Sequence, residues 1–172
     1  VDGGTSLYFD RIHFAYFDLK ILKREGAERD YTSDELKKVE ELDRTITQTE
    51  KDGLVDTIIV KTQGFVNGNI KEGDLNPVKI FRGLLALYNG IDKDKLRENM
   101  AYFLNAIMPV CDEYDMNMCV HPDDPPYQML GLPRIVTNAE DIEWFLNVVD
   151  NKHNGLTFCA GSLSAGPKND VP

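Results

Sequence analysis

The sequence predicts an α/β protein, and three observations in its second half support that prediction. A helical pattern at residues 92–114 is followed by a short β-rich run at residues 116–121. A Pro-rich loop and another helical pattern, residues 139–149, then lead to a second β-rich run at residues 156–159. Because a helical crossover normally joins parallel strands that lie side by side, these segments predict one βαβ unit.

The long helix is predicted from the spacing of its apolar residues. From Leu96 to Tyr114, apolar side chains recur every three or four positions, which places them on one helical face. Pro109 lies inside this stretch and removes one backbone donor, so we expect a local bend there. Farther along, Asn138 is a typical residue before a helix, and Asn154-Gly155 predicts a stop before the second strand.

Residues 1–90 are predicted to be mainly helical. Residues 9–23 carry more apolar side chains than one helical stripe needs, which indicates a helix buried on several sides. A second helix begins with capping residues at Thr32 to Glu35, and its apolar positions continue to Ile46.

The rest of this region is less regular. Asn76-Pro77 predicts the start of a third helix at residues 78–88, which Asn89-Gly90 ends. Residues 55–62 fit either a strand or the end of a helix, and residues 64–73 indicate a loop.

The composition is ordinary for a globular protein and excludes several classes. The 172 residues are 42% hydrophobic and 28% charged. Apolar runs are too short for a membrane span or a secretory leader, so we expect no membrane partner and a cytoplasmic location. A net charge of -10 argues against a nucleic-acid partner. Cys111, Cys119 and Cys159 are odd in number and form no C-x-x-C pair, which fits a reducing compartment.

Two metal-capable side chains, His121 and Cys159, come where the strand patterns stop. Neighbouring strands lie about 4.8 Å apart, and ligand bonds to a divalent metal are about 2.0 to 2.3 Å. Side chains at two adjacent strand ends can therefore reach one ion. Ligands collect at the carboxyl ends of strands in both open doubly wound sheets and (β/α)8 barrels. Without further context, however, a lone His and a lone Cys are more often structural.

Several segments of the chain form specific motifs. The two most specific are Val120-His121-Pro122-Asp123-Asp124-Pro125-Pro126 and Gly131-Leu132-Pro133-Arg134-Ile135-Val136. The others are Tyr8-Phe9-Asp10, residues 21–24 with 26–28, residues 92–99, and Asn154-Gly155 followed by Cys159 and Gly161-Ser162. Together these segments resemble D-mannonate dehydratases of the glucuronate-catabolic type. The likeness runs over most of the chain and is densest at residues 92–162.

The resemblance implies a partial (β/α)8 TIM barrel of the xylose-isomerase-like type with a helical insertion. Residues 1–90 would be the insertion region, and residues 91–172 would supply βα units of an incomplete barrel. The family binds Mn²⁺ or Fe²⁺ through two His, one Cys and one Asp. His121 and Cys159 match the first His and the Cys, and the remaining ligands are expected outside this chain.

The implied reaction is the loss of water from D-mannonate to give 2-dehydro-3-deoxy-D-gluconate, in hexuronate (glucuronate) catabolism. It needs a base for the proton beside the carboxylate and an acid for the hydroxyl that leaves C3. The sequence does not place either group. We expect the complete enzyme to be a homo-oligomer, a dimer, and the isolated fragment to be inactive and to bind metal weakly.

Three residues near the predicted ligands have competing interpretations. Asp123 and Asp124 could be acid–base carboxylates, but loop organisation or support of His121 from outside the metal shell is favoured. Arg134 could bind the substrate carboxylate or form a structural ion pair.

The other candidate residues are expected to be structural. Cys119 is interpreted as core filler, Cys111 as an inert residue on the buried face of a helix, and His153 and His13 as structural.

Two alternative functions remain open at this point. The same barrel superfamily includes sugar isomerases and epimerases, which also use metal ligands at strand ends. The Cys ligand favours the dehydratase over these enzymes. The second alternative is a helical interaction module without catalytic activity.

Overall fold

The computed structural model describes residues 9–61, 70 and 75–171, and these residues form a mixed α/β structure. The chain divides into two units, Val1–Asn89 and Gly90–Pro172. No strand occurs among the described residues of the first unit. The assignment of the first unit to an insertion and of the second to barrel units stays a prediction.

The first predicted helix is divided into two helical forms. Helix α1, Arg11–Tyr16, begins where the Asp10 carboxylate accepts bonds from two first-turn amides, at 2.9 and 3.0 Å. It continues as a π-helical segment, Phe17–Leu22, which ends at Lys23 with a left-handed φ of 53°. Four of the side chains that the pattern indicated are buried, Phe14, Tyr16, Phe17 and Leu22, and so is Ala15.

The second predicted helix is shorter than expected because a second capping box follows it. Helix α2, Ser33–Asp43, is capped by Thr32, and helix α3, Gln48–Val55, is capped by Thr47. In each box the threonine hydroxyl accepts from a backbone amide while a glutamate three residues on accepts from the threonine amide. The pattern therefore extended α2 too far, to Ile46, and missed α3.

The remaining segments of the first unit are helical where they are described. A π-helical segment, Asp56–Lys61, follows α3, so the ambiguous stretch is a helix end up to Lys61. Thr62 lies outside the described residues, as does the predicted loop at 64–73 apart from Ile70. A 3₁₀ turn occupies Ala27–Asp30. Helix α4, Pro77–Ala86, begins at Asn76 as predicted and ends two residues early.

Helix α5, Lys93–Tyr114, dominates the second unit. It begins at Asp92, whose carboxylate accepts from the Lys95 amide at 2.8 Å, and it continues through Pro109. Its buried residues are Leu104, Met108 and Cys111. Of these, only Cys111 belongs to the predicted stripe, whose members Leu96, Met100 and Ile107 are partly buried. The stripe was wrong for Phe103, Val110 and Tyr114, which are exposed. Helix α6, Ala139–Asn147, packs on the same core through Phe145, and it ends two residues before the predicted limit.

The two strands are parallel, as predicted, but both are shorter than the sequence pattern. Strand β1 is Met118–Val120 and strand β2 is Asn154–Leu156, with Cys119 opposite Gly155. The pairing begins where the Met118 amide donates to the His153 carbonyl at 2.8 Å. Asn154-Gly155 therefore lies inside β2 rather than before it, because the pairing register decides where the strand starts.

The two faces of the sheet differ. Met118, Val120 and Leu156 pack against the core that α5 and α6 form. Because side chains alternate along a strand, Cys119 lies on the opposite face of the sheet. It is exposed there, so its interpretation as core filler was wrong. Its strand neighbours Met118 and Val120 are partly buried, because the helices pack against their face.

A buried carboxylate connects the beginnings of α5 and α6. Asp141 has no exposed side-chain surface, and it accepts bonds from Lys93 at 2.6 Å and from Arg97 at 2.7 Å. The Thr137 hydroxyl and amide donate to its other oxygen, at 2.6 and 3.0 Å. These bonds satisfy a charge that would otherwise be very costly to bury. Within the described ranges, no helix has the length and apolar character needed to cross a membrane.

Candidate metal site

His121 lies directly after β1, at the end where the parallel strands finish. Its side chain is exposed, and its Nδ1 lies 2.8 Å from the carbonyl oxygen of Pro122. Because a carbonyl only accepts, Nδ1 carries the proton in this contact. In the neutral imidazole, Nε2 then has a free lone pair, which is the form that binds a metal.

Cys159 lies three residues after β2, immediately before helix α7, Ala160–Ser164. Its side chain is partly exposed and lies close enough to His121 for each group to shift the pKa of the other. The βαβ crossover therefore brings together the two residues that the sequence singled out. Their roles as metal ligands stay predictions.

The two side chains change each other's ionisation in the metal-free protein. The Ser162 hydroxyl, followed by the Ser162 amide and the His121 imidazole, lowers the pKa of Cys159 to about 7. The Pro122 carbonyl, followed by the Cys159 sulfur, raises the pKa of His121 above its usual range. Both shifts favour a thiolate next to an imidazolium. A thiolate is the form of cysteine that binds metals.

The donor set is compatible with Mn²⁺ or Fe²⁺ but is incomplete. An imidazole nitrogen and a thiolate sulfur suit a transition metal better than Mg²⁺ or Ca²⁺, which prefer oxygen. Across the described ranges, no group of three or more His, Cys, Asp or Glu side chains could hold a metal ion. Within the described residues, His121 and Cys159 could therefore supply at most part of a metal shell.

Asp123 closes the loop between β1 and α6. Its Oδ2 accepts from the amides of Ile135 and Val136 at 3.0 and 2.8 Å, and its own amide donates to the Val136 carbonyl at 2.9 Å. Arg134 donates to its other oxygen at 3.1 Å. With both oxygens engaged, Asp123 holds the two ends of the loop together next to His121.

Asp124 has different surroundings from Asp123. Its side chain is exposed, and its Oδ2 lies 3.2 Å from Ser162 Oγ. It also contributes to the raised pKa of His121 through its negative charge, although this is the weakest of the causes. Asp124 is therefore positioned to support His121 electrostatically.

The Arg134 side chain is only 16% exposed, and it is paired with Asp123. This ion pair is the structural alternative that the sequence left open. The ion pair uses Nη1, so the guanidinium keeps other N–H donors, and its buried Nε has no hydrogen-bond partner among the described residues. Its role in substrate binding stays a prediction.

The sequence analysis did not single out Ser162 for any role. Ser162 is 3% exposed, and its Oγ lies 3.2 Å from the Cys159 sulfur and 3.2 Å from Asp124. A contact between Ser162 and Cys159 could have been predicted from their spacing, because side chains three residues apart come together on a helical turn.

The other two histidines lie away from this pair in the chain and have their own partners. His153 is 3% exposed, with Nδ1 2.9 Å from Asn117 Oδ1, and His13 Nδ1 lies 2.8 Å from Asp10. Cys111 is buried in the core of the second unit. These contacts agree with the structural interpretation of all three residues.

Known proteins similar to this chain share one description. A model of the D-mannonate dehydratase (UxuA) family matches residues 1–172. A mannonate dehydratase of Marinomonas sp. (strain MWYL1) is 39% identical over 170 residues. One of Chromohalobacter salexigens is 38% identical over 169 residues. These matches cover 99% and 98% of this chain, which spans 42% and 41% of the two relatives.

A solved structure gives the same result. The crystal structure of mannonate dehydratase from Streptococcus suis serotype2 is 42% identical and superposes with a TM-score of 0.52. The match covers 58% of this chain and 29% of that one. Since the family model matches from the first residue to the last, the chain belongs to the D-mannonate dehydratase (UxuA) family.

Proposed function

We propose that the protein carrying this chain is a carbon–oxygen hydro-lyase that converts D-mannonate to 2-dehydro-3-deoxy-D-gluconate and water, in hexuronate catabolism. The observation that carries this proposal is the proximity of His121 and Cys159, at the ends of two paired parallel strands, in a chain that matches the dehydratase family throughout. The match is to a dehydratase family, which supports this reaction over isomerisation or epimerisation. It also supports an enzyme over a helical module without chemistry.

In this proposal His121 and Cys159 are two ligands of Mn²⁺ or Fe²⁺. Nδ1 of His121 is directed to the Pro122 carbonyl, so Nε2, which faces away from that oxygen, is the nitrogen whose lone pair would bind the metal. The lowered pKa of Cys159 supplies a thiolate near neutral pH. The bound metal would stabilise the negative charge that develops on the substrate.

The reaction removes a proton from C2 and a hydroxyl group from C3 of the sugar acid. A base takes the C2 proton and an acid protonates the departing hydroxyl, which leaves as water. The resulting enol becomes the 2-keto product when C3 is protonated. As ligands, His121 and Cys159 are occupied, so neither is proposed as the base. Arg134 is kept as the candidate partner of the substrate carboxylate.

We further propose that the second unit contributes βα units to a (β/α)8 barrel and that the first is a helical insertion. The parallel pair β1–β2, with a helical crossover and ligands at its carboxyl end, supports this arrangement. A homodimer is proposed from the family resemblance alone. The three free cysteines support a reducing compartment such as the cytoplasm.

The experiment is to assay the intact protein with Mn²⁺ and D-mannonate, measuring the 2-keto-3-deoxy acid formed. His121→Ala and Cys159→Ser should each lower kcat/KM by roughly 100-fold or more, because even residues outside a metal shell cost about 10- to 100-fold. Cys119→Ser removes an equivalent thiol from the same strand pair and should leave activity unchanged. The proposal fails if the parent protein forms no product, or if Cys159→Ser is as active as the parent.

A further inference from the structure

The helical turn after Cys159 contains a buried hydroxyl that contacts both parts of the candidate metal site. Ser162 Oγ lies 3.2 Å from Cys159 Sγ, within its own turn, and 3.2 Å from Asp124 Oδ2, which is 38 residues away in the chain. Ser162 is 3% exposed, so solvent scarcely competes for these contacts. A buried hydroxyl needs such partners, because leaving it unsatisfied costs about 1–3 kcal/mol.

The two contacts connect the segments that carry the candidate ligands. Asp124 is three residues after His121, and Ser162 is three residues after Cys159. The only covalent path between these segments runs through the loop, α6 and β2. The hydroxyl therefore supplies a short noncovalent link across the site.

The chemistry of the hydroxyl determines what this link can do. Oγ has one proton to donate, and a carboxylate and a thiolate both only accept. The proton is therefore shared between Asp124 and the sulfur. The bond to Asp124 joins the two segments, and the bond to the sulfur orients Cys159 within its own turn. A bond donated to the thiolate also restricts the directions from which a metal can approach the sulfur.

We propose that Ser162 is a positioning residue, which orients the Cys159 sulfur for the metal and fixes the Cys159 turn against the loop that follows His121. This inference rests on the proposed metal site. Ser162 itself is not a ligand in this proposal, and it does not contact the reacting atoms.

The test measures metal binding in the intact protein rather than activity. Mn²⁺ affinity is determined by titration calorimetry, and Co²⁺ is used to record the sulfur-to-metal charge-transfer band, which reports on the metal–thiolate bond. Ser162→Ala should weaken Mn²⁺ binding by about 10- to 100-fold and shift the Co²⁺ band. Ser164→Ala changes an exposed serine of the same helix and should alter neither measurement.

A second variant guards against a folding defect at the buried position. Asp124→Ala removes the other end of the link at an exposed residue and should also weaken Mn²⁺ binding, by up to about 10-fold. Ser162→Thr keeps the hydroxyl and should restore the Co²⁺ band if the variant folds. If Ser162→Ala does not fold, the result for Asp124→Ala decides the proposal.

The outcomes separate this inference from the function on which it rests. If Cys159→Ser loses Mn²⁺ affinity while Ser162→Ala and Asp124→Ala bind like the parent with the same Co²⁺ band, the role of Ser162 is overturned and the metal site stands. If Cys159→Ser itself binds Mn²⁺ like the parent, the metal site fails and the inference fails with it.

Discussion

The two units of the chain use their charged and polar side chains differently. In the first unit, Asp18 is fully buried and accepts two bonds from Arg24, at 3.0 and 2.7 Å, and one from the Tyr31 hydroxyl at 2.9 Å. In the second unit, Asp141 is bound in a similar way, but His121 and Cys159 remain at the surface in contact with each other.

The difference shows which polar groups are available for chemistry. Asp18 and Asp141 have their oxygens occupied by cations, hydroxyls or amides of the same unit, so their contribution is to packing. His121 keeps one ring nitrogen available to a metal, and Cys159 has a lowered pKa at a partly exposed position. Buried charge alone therefore does not indicate a functional site, whereas the exposed, mutually perturbed pair His121 and Cys159 is a candidate for one.

The largest effect on stability is expected from the buried carboxylates. Asp141→Asn should lower the free energy of local unfolding by about 3–5 kcal/mol, because Lys93 and Arg97 lose a buried charged partner. Asp18→Asn should have a similar effect in the first unit. Hydrogen exchange of peptides from α5, α6 and α1, followed by mass spectrometry, measures both changes. Glu143→Gln, at an exposed position of α6, is the control.

The Asp141 effect should depend on pH in a defined direction. Burial, the largest single cause, raises the pKa of Asp141, but Lys93 and the Thr137 donors together outweigh it and lower the pKa. The stabilisation that accompanies a lowered folded-state pKa is fully present above the usual carboxyl pKa of about 3.9. It is lost as the pH falls through the lowered value. The difference in the free energy of local unfolding between the parent and Asp141→Asn should therefore become smaller in acid. A difference that stays constant from pH 7 to pH 3 would contradict this account.

An intermediate effect is expected at Asp123. Asp123→Ala removes the acceptor of two loop amides and of Arg134, so the free energy of opening the loop should fall by about 1–3 kcal/mol. Exchange of the Ile135 and Val136 amides measures this change directly. Gln128→Ala, at an exposed position of the same loop, should leave exchange unaltered. Equal protection in the two variants would show that Asp123 does not hold the loop closed.

The smallest effect is expected at the helix caps of the first unit. Thr32→Ala removes the hydroxyl that accepts from the Glu35 amide and should destabilise α2 by about 1 kcal/mol. The exchange rates of α2 peptides report it, and the second unit should not respond. Lys38→Ala, in the exposed middle of α2, is the matched control. No change in α2 exchange would argue against a stabilising role for this cap.

Features that depend on neighbouring residues could be predicted from the sequence. Asp92, Asn76 and Asn138 each cap the helix that the pattern assigned to them, because the cap bond forms within one turn. The second capping box, Thr47 with Glu50, carried the same signal and was overlooked. The π-helical segments had no local signal, since apolar spacing alone does not distinguish them from an α-helix.

Features that depend on distant residues could not be predicted in the same detail. The limits of β1 and β2 follow from pairing between residues 36 positions apart in the chain, such as Met118 and Asn154. The exposure of Cys119 depends on which sheet face the helices cover. The contact of His121 with Cys159 was expected from topology, but the Ser162 bridge to Asp124 depends on the placement of a loop and a turn in three dimensions.

The closed base of the loop has a consequence for how this protein tolerates sequence change. Asp123 joins the two ends of the loop that runs to Val136. The residues at the tip of the loop are therefore mechanically separated from the His121 imidazole, which lies beside the base of the loop. Insertions or deletions around Gln128 should therefore be accepted without moving His121. Changes at the exposed tip of the loop would then alter that part of the surface while the imidazole keeps its place.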